Sequence, residues 1–188
     1  MKSQDIVVLL KLASLEDGAK ENGYEPPPAG PFGGEDPYSV RGLETALGIS
    51  KTEISASLKR SIASGLAIRD RKTDRPRPNR RLLCEFIVHG VRFVFPAKLG
   101  TTQRGVPTAF AAPVLRESLH SAGSLIFVWP YARAKEMGQS LEPLFKSVPE
   151  AAEKDHRLYA YLALIDAIRL GNSRESNHAS DLFKQRLE

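Results

Sequence analysis

Ser39-Val40-Arg41-Gly42-Leu43-Glu44-Thr45-Ala46-Leu47-Gly48-Ile49-Ser50-Lys51-Thr52-Glu53-Ile54-Ser55-Ala56-Ser57-Leu58-Lys59-Arg60 is the stretch that decides the fold. Val40, Leu43 and Leu47 share one face of a short helix over Ser39 to Leu47. Gly48 ends it, because glycine adopts the left-handed conformation that helix ends commonly require. Ser50-Lys51-Thr52-Glu53 has the form of a capping box: Ser50 accepts from the Glu53 amide while Glu53 reaches back to the Ser50 amide. The helix opened there is expected to run to about Ser64, with Ile54, Leu58 and Ile62 as its buried stripe and Gly65 as its stop. Leu66-Ala67-Ile68 then reads as a strand.

The next segment is Arg69-Asp70-Arg71-Lys72-Thr73-Asp74-Arg75-Pro76-Arg77-Pro78-Asn79-Arg80-Arg81. Pro76 and Pro78 lack the amide a ladder needs, so a turn or loop with outward basic side chains is expected. Charge is sorted along the chain. Residues 1–49 carry 4 basic and 8 acidic side chains, residues 50–81 carry 10 and 3, and residues 82–188 carry 13 and 11. The whole chain has a formal charge of +5, and its excess sits in one short segment. Such concentration points to a polyanionic partner.

A glycine-turned helix pair projects its second helix steeply from the first, which suits entry into the major groove of duplex DNA. Opposite the Ile54–Leu58–Ile62 stripe lie Thr52, Ala56, Lys59, Arg60 and Ala63, with Lys51 and Ser55 on the flanks. Thr52 and Ser55 suit hydrogen bonds to bases, Ala56 a thymine methyl, and Lys59 guanine or phosphate. Lys51 and Arg60 complete the DNA-facing set. Arg69, Arg71, Lys72, Arg75, Arg77, Arg80 and Arg81 are the expected phosphate anchors. Residues 50–81 contain no Phe, Tyr or Trp to stack on unpaired bases, so double-stranded DNA is favoured over single strands.

Upstream, Ser3 or Asp5 can cap a helix to about Leu15, with Ile6, Leu9, Leu10 and Ala13 inward. Glu16 to Pro37 is rich in glycine and proline and reads as a mobile surface loop. Residues 3–81 together resemble the winged helix-turn-helix of bacterial transcriptional regulators, broadly the MarR-like group. Gly65-Leu66-Ala67-Ile68-Arg69 is similar to that family's strand leading into the wing; a second wing strand is not evident. The resemblance implies a sequence-specific regulator, expected to repress, that binds a near-palindromic operator as a homodimer.

Farther along, Asn79 can cap a helix bearing Leu82, Leu83, Phe86 and Ile87, ended by Gly90. Val91 to Phe95 alternates weakly and suggests a strand. Pro113 suits the first turn of a helix to about His120, and Leu125 to Trp129 a buried strand. Pro149 opens a helical region. Asp155 caps a helix to Leu170 with Tyr161, Leu162, Ile165 and Ile168 inward, closed by Gly171, and Ser173 caps a last helix to about Leu187. The expected fold is mainly α with short β-strands: a winged helix-turn-helix over 1–81, with a loop at 16–37, and an α+β companion region over 82–188.

No run approaches the 18 or more apolar residues of a membrane helix, and the N-terminus lacks the pattern of a signal peptide. The expected setting is therefore cytoplasmic, without membrane contact. A lone cysteine, Cys84, reads as a buried structural residue. It and four scattered histidines do not have metal-ligand spacing, no cofactor motif is found, and no local nucleophile–base arrangement indicates an enzyme. The alternative is an interaction subunit, or an antitoxin-like autoregulator, whose C-terminal half binds a partner protein.

Overall fold

The computed structural model describes residues 1–23, 36–116 and 126–187, and the chain divides into two compact units, Met1–Leu83 and Cys84–Glu188. It is mainly helical with small sheets.

The first unit is built on α1 (Ser3–Asn22), a helix longer than its apolar pattern foretells. Ile6, Leu9, Leu10 and Ala13 are fully buried as expected, and so are Val8 and Leu12. Asp5 accepts the Lys2 amide at 2.8 Å, which ties down the helix start. The helix does not stop at Leu15. Residues 16–22 are helical, not loop, because Glu16 and Asp17 engage arginines from the far side of the unit, and the stop is Gly23 at φ +60°. Of the expected loop, residues 24–35 lie outside the described residues.

Ser39 caps α2 (Val40–Leu47) by accepting the Gly42 amide at 3.0 Å. Gly42 passes so close beneath the preceding chain that a Cβ there would lie 2.5 Å from the Asp36 carbonyl oxygen. Gly48 takes the left-handed conformation at φ +63°, and α3 (Lys51–Ala63) follows. The expected Ser50–Glu53 capping box does not form: the Ser50 side chain makes no cap bond. Glu44 crosses the turn instead and accepts the Lys51 amide at 3.3 Å, while Glu53 binds Lys2 and Gln4. Ile54 and Leu58 are buried and Ile62 half-buried, so the α3 stripe holds.

A short antiparallel hairpin completes the unit, β1 (Ala67–Arg69) with β2 (Pro76–Pro78). The prolines did not prevent a second strand. Ala67 pairs with Pro78 and Arg69 with Pro76, so both prolines lie at the ends of a three-residue strand, on a two-stranded ladder whose outer side needs no donor.

The division between the units falls within α4 (Arg80–His89), whose Leu82 amide is capped by the Asn79 side chain. Val91 to Phe95 is not a strand: Val91–Val94 forms one helical turn, α5. Then comes β3 (Leu99–Thr108), a 3-10 turn (Ala109–Ala111), α6 (Pro113–Arg116), β4 (Phe127–Pro130) and β5 (Glu136–Leu141). Residues 117–125, where the Pro113 helix was expected to end and the Leu125 strand to begin, lie outside the described residues. β3 pairs antiparallel with β5 through its first half and with β4 through its second; β4 and β5 meet in parallel, closing a small three-stranded barrel.

Three helices finish the unit: α7 (Val148–Lys154), α8 (His156–Leu170) and α9 (Ser173–Leu187). Asp155 caps α8 by accepting the Arg157 and Leu158 amides. The last helix is capped by Asn172, not Ser173: Asn172 Oδ1 accepts the Glu175 amide and Glu175 reaches back to the Asn172 amide, both at 3.1 Å. Residues 161–169 of α8 are buried all round. Among them Asp166 accepts from Thr108 Oγ1 (2.9 Å), Trp129 Nε1 (2.6 Å) and Arg169 Nη1 (2.7 Å). Arg169 in turn donates to the Phe95 and Pro96 carbonyls, so one buried ion pair joins barrel, α8 and the chain after α5. Among the described residues no helix is long and apolar enough to cross a membrane.

Candidate nucleic-acid interface

The N-terminal unit sorts its cations into two groups. The first is held by carboxylates. Arg60 grips the fully buried Asp5 with two bonds, Nε to Oδ2 at 2.9 Å and Nη2 to Oδ1 at 2.6 Å, which fastens α3 to α1. Burial by itself raises the Asp5 carboxyl; the Arg60 guanidinium and the Lys2 amide outweigh it and hold the group below its ordinary value. Arg60 is therefore not on the outer face of α3, as helical spacing had placed it.

Arg75, Arg77 and Arg80 belong to the same group. Arg75 is 5% exposed, lies 4.7 Å above the centre of the Tyr38 ring and pairs with Asp36 at 3.2 Å. Arg77 lies between Glu16 (2.7 Å) and Asp70 (3.3 Å), and the Glu16 bond chiefly raises its pKa. Arg80 reaches Glu16, Asp17 and the Ala13 carbonyl. These three were expected to point outward to phosphates. All three instead pair with carboxylates, Arg77 and Arg80 tying the hairpin and the start of α4 to α1; Arg75 is buried and Arg80 half-buried there, while Arg77 stays exposed.

The second group is exposed. On α3 these are Lys51, Thr52 and Lys59, with Ser55 and Ala56 half-exposed between them. Lys51 has only a loose surface pairing with Glu44, at 3.7 Å. On the hairpin they are Arg69, Arg71 and Lys72, and Arg81 follows at the start of α4. Arg69 binds the still more exposed Asp74 at 3.0 Å. Among the described residues no carboxylate pairs with Lys59, Arg71, Lys72 or Arg81.

The hairpin tip is shaped to present two of these. Asp70 accepts the Lys72 and Thr73 amides and the Thr73 hydroxyl, at 2.9 to 3.0 Å, and Asp74 turns the chain back at φ +55°. Those bonds, the Thr73 amide first, lower the Asp70 carboxyl to about 2. The aspartate thus spends its charge inside the turn, and Arg71 and Lys72 stand outside it. Beside the tip, a cleft of about 390 Å³ at the end of α1 is lined by Glu16, Lys20, Tyr38, Asp70, Arg75 and Arg77. Its mixed charges suit a polyanion poorly.

The partners Asp36, Glu16 and Asp17 were missed from the sequence, although one signal for them was there. The acidic excess over residues 1–49 faces the basic excess over 50–81, and part of each cancels the other in the folded unit. Cys84 is half-buried and in no disulfide. No family model, curated protein or solved structure matches this chain.

Proposed function

We propose that the N-terminal unit is a winged helix-turn-helix that reads duplex DNA, and that the protein is a transcriptional regulator acting as a repressor. What carries this reading is the sorting of cations just described. Among the described residues, Lys59 on α3 and Arg71 and Lys72 on the hairpin tip are left exposed without carboxylate partners, while Arg75, Arg77 and Arg80 pair with carboxylates inside the unit. The small residues Ser55 and Ala56 let the outer face of α3 approach base edges closely, with Thr52 and Lys59 as readers. The hairpin is the wing, and Arg71, Lys72, Arg69 and Arg81 supply phosphate contacts.

Titration of the chain against duplex DNA from upstream of its own gene, at two salt concentrations with competitor DNA, tests this. Lys59→Ala is expected to weaken preference at its base pair by about 1–3 kcal/mol. Arg71→Ala with Lys72→Ala should weaken all sequences alike and lower the salt slope by about 2. Specific binding untouched by Lys59→Ala would remove α3 from the groove.

A second reading, partner binding by the C-terminal unit, is favoured by two consecutive exposed apolar side chains, Phe93 (78%) and Val94 (52%). Phe93→Ser should then abolish capture of a co-expressed product of an adjacent gene; unchanged capture would remove α5 from such an interface.

A further inference from the structure

In the C-terminal unit, which carries almost no net charge excess in sequence, β4 and β5 are joined by a tight turn. The Ala134 amide closes it on the Tyr131 carbonyl at 3.1 Å, and the Tyr131 amide bonds the Arg104 carbonyl of β3 at 3.0 Å. Arg133 sits in the turn between Ala132 and Ala134 and is exposed. Arg104, which faces Met137 across the ladder, extends along the same turn and donates Nη1 to the Ala134 carbonyl at 3.2 Å. Lys135 follows Ala134. All three cations are exposed, and among the described residues none has a carboxylate partner within ion-pair distance.

Other cations of this unit, Arg92, Lys146 and Arg186 among them, are likewise in no ion pair among the described residues; what distinguishes Arg104, Arg133 and Lys135 is that they lie together on one turn. Lys98, Lys154, Arg169 and Lys184 each pair with a carboxylate (Glu142, Glu150, Asp166 and Asp181). Two carboxylates, Glu150 and Glu136, stand near the turn. Glu150 feels the charge of Arg133 but bonds Lys154 at 2.7 Å, and Glu136 stands exposed next to Lys135. The result is an alanine-flanked tip bearing three exposed cations, with Glu136 beside it in sequence and Glu150, itself paired with Lys154, near Arg133.

We propose that this tip is a second contact for the phosphate backbone of duplex DNA, separate from α3 and the hairpin. Arg133 and Lys135 meet phosphate oxygens as charge-assisted donors, and Arg104 braces the turn while adding its own charge. The contact carries no base specificity, since such pairing fixes position and salt dependence and not sequence. It rests on the DNA-binding reading of the N-terminal unit only for the choice of polyanion.

The test uses the full chain and a random-sequence duplex, with affinity followed against salt. Neutralising one phosphate contributes ~0.9 to the slope of log affinity on log salt. The triple variant Arg104→Ala/Arg133→Ala/Lys135→Ala is expected to lower that slope by about 2 to 3. The control triple Lys98→Ala/Lys154→Ala/Lys184→Ala removes the same formal charge from paired positions and should leave it nearly unchanged. The double variant Arg133→Ala/Lys135→Ala keeps the Arg104 brace and should still lower the slope by about 2, which guards against a misfolded turn. Equal slopes for the tip and control triples would overturn the inference. That outcome is independent of the N-terminal unit, whose failure would appear as duplex binding indifferent to Arg71→Ala/Lys72→Ala and to base sequence.

Discussion

Single carboxylates do much of the positioning in both units, and each is exposed to a direct test. Asp5 is fully buried with Arg60 as its main partner, and Arg60 retains 30% exposure. Asp5→Ala leaves the guanidinium free to turn toward water, so the cost should be about 3 kcal/mol, at the lower end for a broken buried pair. The sign of the pH effect follows from the lowered folded pKa of Asp5. Its contribution is full above the unfolded value near 4 and fades as pH falls through the folded one. Denaturant melts of wild type and Asp5→Asn should therefore differ at neutral pH and converge on acidification; a constant gap would show that the pair contributes little. Asp166 is the harsher case, because both it and Arg169 are buried. Asp166→Ala strands Arg169 and leaves Trp129 Nε1 without its acceptor, a loss of about 3–5 kcal/mol. Trp129 is the only tryptophan, so its fluorescence reports the unfolding of that unit directly.

Among the elements, the hairpin shows where sequence is legible and where it is not. Helices α2 and α3 were readable because apolar spacing and glycine stops are local signals, and the core stripe of α3 followed from them. The hairpin was obscured by Pro76 and Pro78, whose tolerance depends on a short ladder with a free outer side, a fact of neighbours and not of composition. β3 was hidden for another reason: Leu99 to Arg104 are all exposed, so no alternation marks the strand. Of the candidate interface, the exposed residues of α3 could be found from periodicity. Which arginines face outward could not, because that depends on Glu16, Asp17 and Asp36, distant in sequence. The tip itself makes a prediction. Asp70 holds Lys72 and Thr73 only while ionised, and its pKa is lowered to about 2. The amide resonances of Lys72 and Thr73 should keep their positions down to about pH 3 and move together below it. Asp70→Ala should loosen the tip at every pH and cost DNA affinity without altering base preference; an unchanged affinity would mean that the tip does not touch the backbone.

At the scale of the whole molecule, the proposed DNA-reading role would let one α3 cover only half of an operator, because a single recognition helix spans a few base pairs of one groove. On the proposal that it represses from a near-palindromic site, this chain of 20.7 kDa is therefore expected to bind as two copies. The symmetry imposes a spacing rule that no single-residue change can imitate. Two recognition helices related by a two-fold axis must enter the major groove on one side of the duplex, so half-site centres lie about one helical turn, roughly 10 base pairs, or a multiple of it apart. Inserting about 5 base pairs between the half-sites rotates one of them to the opposite side and should abolish cooperative binding; inserting about 10 should restore much of it. The complex on the native spacing should contain two chains per duplex by analytical ultracentrifugation. A one-to-one complex with full specificity, insensitive to the insertion, would mean that the chain reads its site as a monomer, and the sequence preference would then have to come from one copy of α3 and its hairpin alone.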